Sequence, residues 1–525
     1  MGAAGAAWAT VLGQIASLAL AAVFHFRLNR ELPFRRKALR LRRSIVGEIY
    51  SIGVPAIIAQ GAMSVMNYCV NLIFGSLDSS YVTAYGIVYK IQQFVLFAVF
   101  GLRDAITPIV SFSYGMQNAK RIREGVRCGL MYTSVLEKDL EDGTHMVRQT
   151  QSIAIGDGEN YEKVAENPVI TADCLPEGSS PVDFRDPKIW KENDTYYMIV
   201  GNKNENQIGQ VVLCSSKNLT DWKFETILAS NESGKIGTMW ECPDFFQLGS
   251  KRVLICSPQD MKAQKYEFHN GHNSVYFLGD YDEKAHTFVK ELPHALDYGM
   301  DFYAPQTTEL PDGRRIMIAW MKSWDACVIP NSQVWQGMMT LPRELELKDG
   351  KIWQTPVREI EKYHKNPCRY DHAEINQETT LCGIEGRTID LTVLLEEDEF
   401  QTVSMKLAAN KEYETSFTYH KAENMLEIDR TYCGVTKDVV CVRKLKISNP
   451  EGLKKMRFIL DRQSIELFLN DGEQVATTAI CTPLEAQEIH FCSDKKMHIN
   501  VEKYDIMSAS EKNAFMHSAN DEIIE

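Results

Sequence analysis

Hydrophobic and polar positions follow two different patterns along this 525-residue chain. No charged residue occurs from Met1 to Phe26 or from Ile49 to Leu77, and both runs exceed the roughly 20 apolar residues that a helix needs to cross a bilayer. A third run, Ile91 to Ser113, is interrupted by Arg103 and Asp104. The pattern predicts about three transmembrane helices within residues 1–130, the alternative being buried helices of a soluble domain. A cleaved leader is not expected, because the positive charges follow the first apolar run instead of preceding it.

Beyond about residue 130 the period becomes that of strands. Three segments repeat one pattern: DFRDPKIWKENDTYYMIVG from Asp183, MWECPDFFQLGSKRVLICSP from Met239 and DFYAPQTTELPDGRRIMIAW from Asp301. Each has a polar or acidic cluster, a proline (187, 243 or 305), an apolar strand, a turn and a second strand. The turns are Glu192-Asn193-Asp194, Gly249-Ser250 and Asp312-Gly313. Further strands lie between the repeats, GQVVLCSS with LTDWKF and NSVYFLGDYD with HTFVKE, and four strands per unit is the signature of propeller blades. LMYTSV from Leu130 and QSIAIGDGENYEK from Gln151 match the second strand and outer part of one more unit. Its innermost strand is expected just before residue 130, where the apolar sequence stands instead.

From about residue 366 the repeat gives way to long alternating strands, TVSMKLAANKEYETSFTYH and MRFILDRQSIELFLNDGEQVATTAI. Asn470-Asp471-Gly472 is a hairpin signal. The expected fold is therefore mainly β: an incomplete propeller over 131–365, a C-terminal β-sandwich over 366–510 and a tail over 511–525, all preceded by the helical membrane segment.

Charge divides the chain at the same place. Up to Tyr132 there are 14 Lys and Arg against 5 Asp and Glu, and beyond it 43 against 65. Basic clusters precede the second apolar run (Arg27 to Arg43) and follow the third (Lys120, Arg121, Arg123, Arg127). Both are expected on the cytoplasmic side, which places everything after Arg127 there too. The acidic surplus of the larger part argues against nucleic acid as a partner. Thirteen cysteines include no CxxC pair and no Cys/His cluster at zinc spacing, and Cys214 and Cys256 sit in apolar runs. They read as reduced core thiols, and no metal or organic cofactor is expected.

Inner strands of a propeller line its central channel, so residues that begin successive blades converge on one pocket. Arg185-Asp186, Glu241 and the pair Asp297/Asp301 hold that position. Carboxylates held close raise one another's pKa, which is how a glutamate can stay protonated and act as a general acid. The plainer account is a structural ion pair for Arg185 and Asp186, a solvated blade edge for Glu241, and core packing for the tryptophans.

Two resemblances sharpen this. The strings GAAWATVLGQ, SIGVPAIIAQGAMSVMN, AYGIVYKIQQFV and PIVSFSYGMQNAKRI resemble the middle of a multidrug and toxin extrusion transporter. That resemblance implies only three helices of a twelve-helix bundle, too few for alternating access. FRDPKIW, WECPDFF, GMDFYAPQT, IAWM and WQGMMTLPREL resemble the successive motifs of glycoside hydrolase family 32, over about 130–508. This resemblance implies a five-bladed propeller with a sandwich and a β-fructofuranosidase acting on a terminal β-fructoside such as sucrose or its 6-phosphate. By motif, Glu241 would be the general acid/base, and Asp186, with Arg185 beside it, would hold sugar hydroxyls and stabilise the oxocarbenium-like transition state. Asp301, Tyr303, Trp320 and Trp335 would shape the fructose pocket.

The family retains configuration, which requires a second carboxylate about 5.5 Å from the acid. The resemblance places that aspartate in a WMNDPNG-like motif on the first blade, and no NDP occurs in this sequence. Little or no hydrolysis is therefore expected. The partners expected are a fructoside and, through the N-terminal helices, a lipid bilayer. An inactive or vestigial fructoside-binding module or a spurious gene fusion on a membrane anchor, and a multidrug transporter component, remain the competing readings.

Overall fold

A computed structural model describes residues 130–139, 145–156, 161–321, 337–435 and 439–507. The expected membrane spans, Trp335 and the tail over 511–525 lie outside the described residues. No helix among the described residues is long and apolar enough to cross a membrane.

The strands fall into blades in the expected order. β1 (Leu130–Asp139), β2 (His145–Gly156) and β3 (Tyr161–Lys163) form a three-stranded antiparallel sheet. Three four-stranded sheets follow in simple meander order. They are β4 (Ser179–Glu192) to β7 (Trp222–Ser230), β8 (Trp240–Leu248) to β11 (Thr287–Ala295), and β12 (Tyr303–Glu309) to β15 (Lys351–Pro356). The turns read from the sequence hold left-handed residues, Asn193 at φ 52, Gly249 at φ 56 and Gly313 at φ 84, as tight hairpins require.

The apolar runs inside these strands are continuous because both faces of a blade are buried. In β5 (Thr195–Asn204), Met198 and Val200 pack with Phe184 and Met131 toward the three-stranded sheet, while Ile199 packs with Trp240 and Phe245 of the next blade. In β9 (Lys251–Pro258), Leu254 and Cys256 face one neighbour and Val253 and Ile255 the other. Blades approach closely at Gly201, where an added Cβ would lie 2.2 Å from the Trp240 carbonyl oxygen. Ten cysteines are described and all are free.

A 3-10 turn at Arg358–Tyr363 leads into the sandwich. Its spine is a long antiparallel pair, β16 (His364–Thr379) with β25 (Glu488–Ile506). The C-terminal half of β25 pairs with β17 (Thr388–Leu395), which continues through β22 (Lys455–Asp461), β23 (Ser464–Leu469) and β24 (Gln474–Ala479). Its N-terminal half pairs with β18 (Thr402–Ala409), continuing through β19 (Thr415–His420), β20 (Met425–Asp429) and β21 (Val442–Lys446). The two layers share one core, in which Phe417 of β19 meets Phe458 of β22 edge-on at 5.1 Å. The Asn470-Asp471-Gly472 signal makes the β23–β24 turn, with Asp471 at φ 63 and Gly472 at φ 98.

Propeller and sandwich are joined by buried charge. Arg343 in β14 (Arg343–Lys348) is 0% exposed. It donates to Glu466 Oε2 at 2.7 and 3.0 Å, to Asp297 Oδ2 and Gln354 Oε1 at 3.0 Å, and to Thr477 Oγ1 at 2.6 Å. All five guanidinium protons are thereby used. A second buried pair, Arg430 with Asp301, lies beside it. The main chain adds Tyr298 N–H to the Val475 carbonyl at 2.8 Å and Met300 N–H to the Thr477 carbonyl at 2.9 Å. Removing one partner of such a network leaves the others charged and dry. Arg343→Met is therefore expected to destabilise the fold by about 3–5 kcal/mol, to be read from denaturant midpoints, whereas Arg358→Met at the exposed pair with Glu344 should change it by no more than about 1 kcal/mol.

Candidate active site

Three inner strands carry the same local device. Asp186-Pro187 in β4, Cys242-Pro243 in β8 and Ala304-Pro305 in β12 each place a left-handed residue, at φ 65, 48 and 53, directly before a proline. Proline has no N–H to give to a ladder, and each strand shifts register there, between Arg185/Lys188, Glu241/Asp244 and Tyr303/Gln306. These are bulges that re-aim the residues around them.

The residues just before the bulges meet. Arg185 Nε donates to Glu241 Oε1 at 2.9 Å, and the Tyr303 hydroxyl lies 2.6 Å from Glu241 Oε2. The residues just after the prolines form a second group, in which Lys188 Nζ reaches Asp244 Oδ2 at 3.3 Å and Gln306 Oε1 at 3.0 Å. Asp244 is fixed in turn by the Thr307 N–H at 2.7 Å and hydroxyl at 2.8 Å.

Tyr303 also lies 3.0 Å from the Ser257 carbonyl. Burial and the Glu241 charge push its phenol pKa far up, so it keeps its single proton. With Glu241 ionised, the Tyr303 O–H donates to its Oε2. When Glu241 is neutral, its own proton can go to the phenol oxygen while Tyr303 turns to Ser257.

Asp186 lies in the same cluster. Its Oδ2 accepts the Cys242 N–H at 3.0 Å, and its own N–H donates to Thr133 Oγ1 of β1 at 3.1 Å. Burial holds its carboxyl above the usual range, the Cys242 N–H opposes this, and the Glu241 charge adds to it. Arg185 is shared with Asp183 Oδ1 at 3.0 Å and with Gln149 of β2 at 3.3 Å. Burial alone would raise the Asp183 carboxyl, but Arg185 and Lys203 outweigh it and hold it below the usual range.

The structure thus gathers Arg185, Asp186, Glu241 and Tyr303, and Trp320 stands directly across from Tyr303 in the β12–β13 pair, with Gly337 against its indole. It does not gather Asp301. That carboxylate is 1% exposed, bound to Arg430 and to the Ala479 N–H at 2.9 Å. Asp297 likewise faces Arg343 and Thr477. The expectation that this pair lines the pocket is corrected: the segment holding them pairs with β24, and its carboxylates neutralise arginines of the domain junction. Trp335 lies outside the described residues. The sequence reading missed Gln149 and Thr133, Ser257, and His272, whose ring meets Tyr303 edge-on at 5.6 Å. Of these, the strand periodicity of β1 and β2 and the repeat strand that ends at Ser257 carried a signal, and His272 carried none.

The comparisons with known proteins agree with this geometry. Residues 111–356 match the family described as glycosyl hydrolases family 32 N-terminal domain, and residues 359–508 the family 32 C-terminal domain. Residues 55–137 match the family described as MatE. A sucrose-6-phosphate hydrolase of Zymomonas mobilis is 36% identical over 365 residues, 66% of this chain and 68% of that protein. A raffinose invertase of Escherichia coli is 32% identical, covering 69% of this chain and 73% of its own. Among solved structures, the Bombyx mori GH32 beta-fructofuranosidase superposes with a TM-score of 0.62 at 28% identity, over 72% of this chain and 76% of that one. On these matches and the blade-and-sandwich fold, the chain belongs to glycosyl hydrolase family 32, a family of glycosidases, and carries a multidrug-transporter-like segment ahead of it.

Proposed function

We propose that this chain is a glycosidase of the β-fructofuranosidase type whose acid/base and transition-state stabiliser are assembled but whose nucleophile is missing. The observation that carries the reading is Glu241 held between Arg185 and Tyr303 at 2.9 and 2.6 Å, with Asp186 beside it. Glu241 protonates the glycosidic oxygen as the bond breaks and later takes a proton from water. Asp186 and Arg185 hold sugar hydroxyls and balance the positive charge that develops at the anomeric carbon. Trp320 supplies an apolar wall to the pocket.

Terminal β-fructosides such as sucrose and sucrose 6-phosphate are the proposed substrates, in keeping with the names of the relatives. A retaining mechanism needs a second carboxylate as nucleophile, and Asp186 is engaged with the β8 main chain through the Cys242 N–H. The apolar N-terminal runs are proposed to anchor the chain as about three transmembrane helices, with the glycosidase domain on the cytoplasmic side. The basic clusters at Arg27–Arg43 and Lys120–Arg127 support that orientation.

For the purified chain, release of fructose from sucrose is expected to be about 10⁴-fold or more below ordinary family rates, and hydrolysis at those rates would overturn the reading. Adding a separate polypeptide that carries a family first blade should raise the rate. In that mixture Glu241→Gln should lower it by about 10²–10⁴-fold. A mixture that stays inert would instead favour a fructoside-binding module.

Asp186 offers a test through stability. Its folded pKa lies above the ordinary 3.8, so the native state holds its proton to higher pH than the unfolded chain does. Ionisation therefore destabilises the fold progressively as pH rises from the unfolded value through the folded one. Asp186→Asn is expected to match the wild type in thermal midpoint below pH 3.8 and to exceed it at pH 7, the pattern of a carboxylate kept for chemistry at a cost to stability. An equal or lower midpoint at pH 7 would count against that role.

A further inference from the structure

Away from this site, three parts of the sandwich bring two imidazoles and two carboxylates together. β16 bulges between Tyr370 and Ala373, and His372 within the bulge takes φ 53. Its backbone N–H donates to Asn500 Oδ1 at 2.9 Å. The bulge lays the ring of His372 on that of His498 in β25, parallel to within 4° and with centroids 3.9 Å apart. His372 Nδ1 stands 2.9 and 3.1 Å from the two oxygens of Glu396, just past β17. Asp398 Oδ2 lies 3.0 Å from His498 Nδ1 and accepts the His498 N–H at 2.6 Å. Asn500 Nδ2 donates to Glu396 Oε1 at 3.1 Å. One ring nitrogen of each histidine and one oxygen of Glu396 all lie within 4.8 Å of one another.

We propose that His372, Glu396 and His498 bind one divalent transition-metal ion of the zinc, nickel or copper class. Two imidazoles and a carboxylate suit such ions, whereas calcium and magnesium take all-oxygen sets. Ligand atoms about 2.0–2.2 Å from a tetrahedral ion lie a little over 3 Å apart, and His372 and Glu396 already have that spacing. Imidazole lone pairs lie in the ring plane, so the parallel rings of His372 and His498 must unstack for both to reach one ion, and His372, 66% exposed, is the ring that rotates, with Glu396 following it. The outer partners are in place as well. A carboxylate on Nδ1 fixes the ring of His498 and leaves Nε2 with the lone pair, the arrangement that supports a metal-bound histidine, and Asn500 orients Glu396 while holding the bulge. An ion there would tie β16, the exit of β17 and β25 to one another and so stabilise the sandwich by binding only the folded state.

The test uses the full chain, purified in detergent, stripped with a chelator and titrated with Zn²⁺ by calorimetry. One equivalent is expected that is lost in His372→Ala and in Glu396→Gln, and Asn500→Ala should weaken it about 10–100-fold. Zinc should raise the thermal midpoint of the wild type and not that of His372→Ala, and the two proteins should unfold alike in chelator, which separates loss of the site from loss of the fold. Because thirteen cysteines could also take the metal, Co²⁺ serves as a second probe, with a spectrum free of thiolate charge transfer expected at one equivalent. Absence of saturable binding would overturn the proposal. So would an equivalent that survives in the His372→Ala, His498→Ala double variant, or cobalt binding that shows only thiolate bands.

Discussion

A residue followed by proline is ordinarily confined to extended backbone, because the pyrrolidine ring crowds it. In β4, β8 and β12 that residue instead sits at φ 65, 48 and 53. Such conformations cost about 1–3 kcal/mol each and persist only where the surroundings over-determine them. Each is flanked by ladder pairing, Arg185 with Gly201, Glu241 with Ser257 and Tyr303 with Trp320 before it and regular pairs after it, and Arg185 and Tyr303 thereby reach the two oxygens of Glu241. Arg185, Glu241 and Tyr303 converge only because the three bulges are in phase. Were one strand to lose its bulge, the side-chain period of two would carry its residue to the opposite face, and Glu241 would lose an oxygen partner that nothing nearby replaces.

The third of these strands is positioned from the sandwich. Asp297, Tyr298, Met300 and Asp301 are all hydrogen-bonded to β24, and Tyr303 follows two residues later. Arg343 and Arg430 neutralise the two carboxylates of that segment in full burial. Tyr303 therefore inherits its place from a salt-bridge network that never touches the site. The C-terminal sheet thus acts on the chemistry by fixing where β12 begins, and a loosened junction would be felt first at the Tyr303–Glu241 contact.

This division explains what the sequence made legible. The repeat, its turns and its strand register are written in local patterns: apolar runs buried on both faces, Asn193, Gly249 and Gly313 at turns, and a proline at one place in each unit. Glu241 and Arg185 could be located because they precede those prolines. Asp301 misled because it occupies the same part of the repeat, and only the docking of β24, a contact made far along the chain, turns its side chain away. Ser257 ends the second strand of its repeat, where nothing local marks its carbonyl as a partner for Tyr303, and His272 reaches Tyr303 from a loop outside the repeat. The His372–Glu396–His498 cluster is equally silent in sequence, since its members come from β16, the exit of β17 and β25, and the spacing rules for metal ligands assume a local loop or helix.

Blade architecture also separates geometry from activity. The described blades bury apolar faces against their neighbours, Met198 and Val200 against the three-stranded sheet, Ile199 against the blade of β8, Val253 and Ile255 against the blade of β12, while Met300 ahead of β12 packs into the sandwich core. In such an arrangement stability is close to a sum of neighbour terms, to which the sandwich adds its own contacts at the start of β12. The contacts that order Glu241 are made within those three blades, and Arg185 gains Gln149 from the next. An ordered cluster around Glu241 is therefore what these blades deliver, whereas glycosidic bond cleavage with retention needs two carboxylates facing each other across the sugar. The order of Glu241 reports the packing of these blades and of the junction that sets where β12 begins.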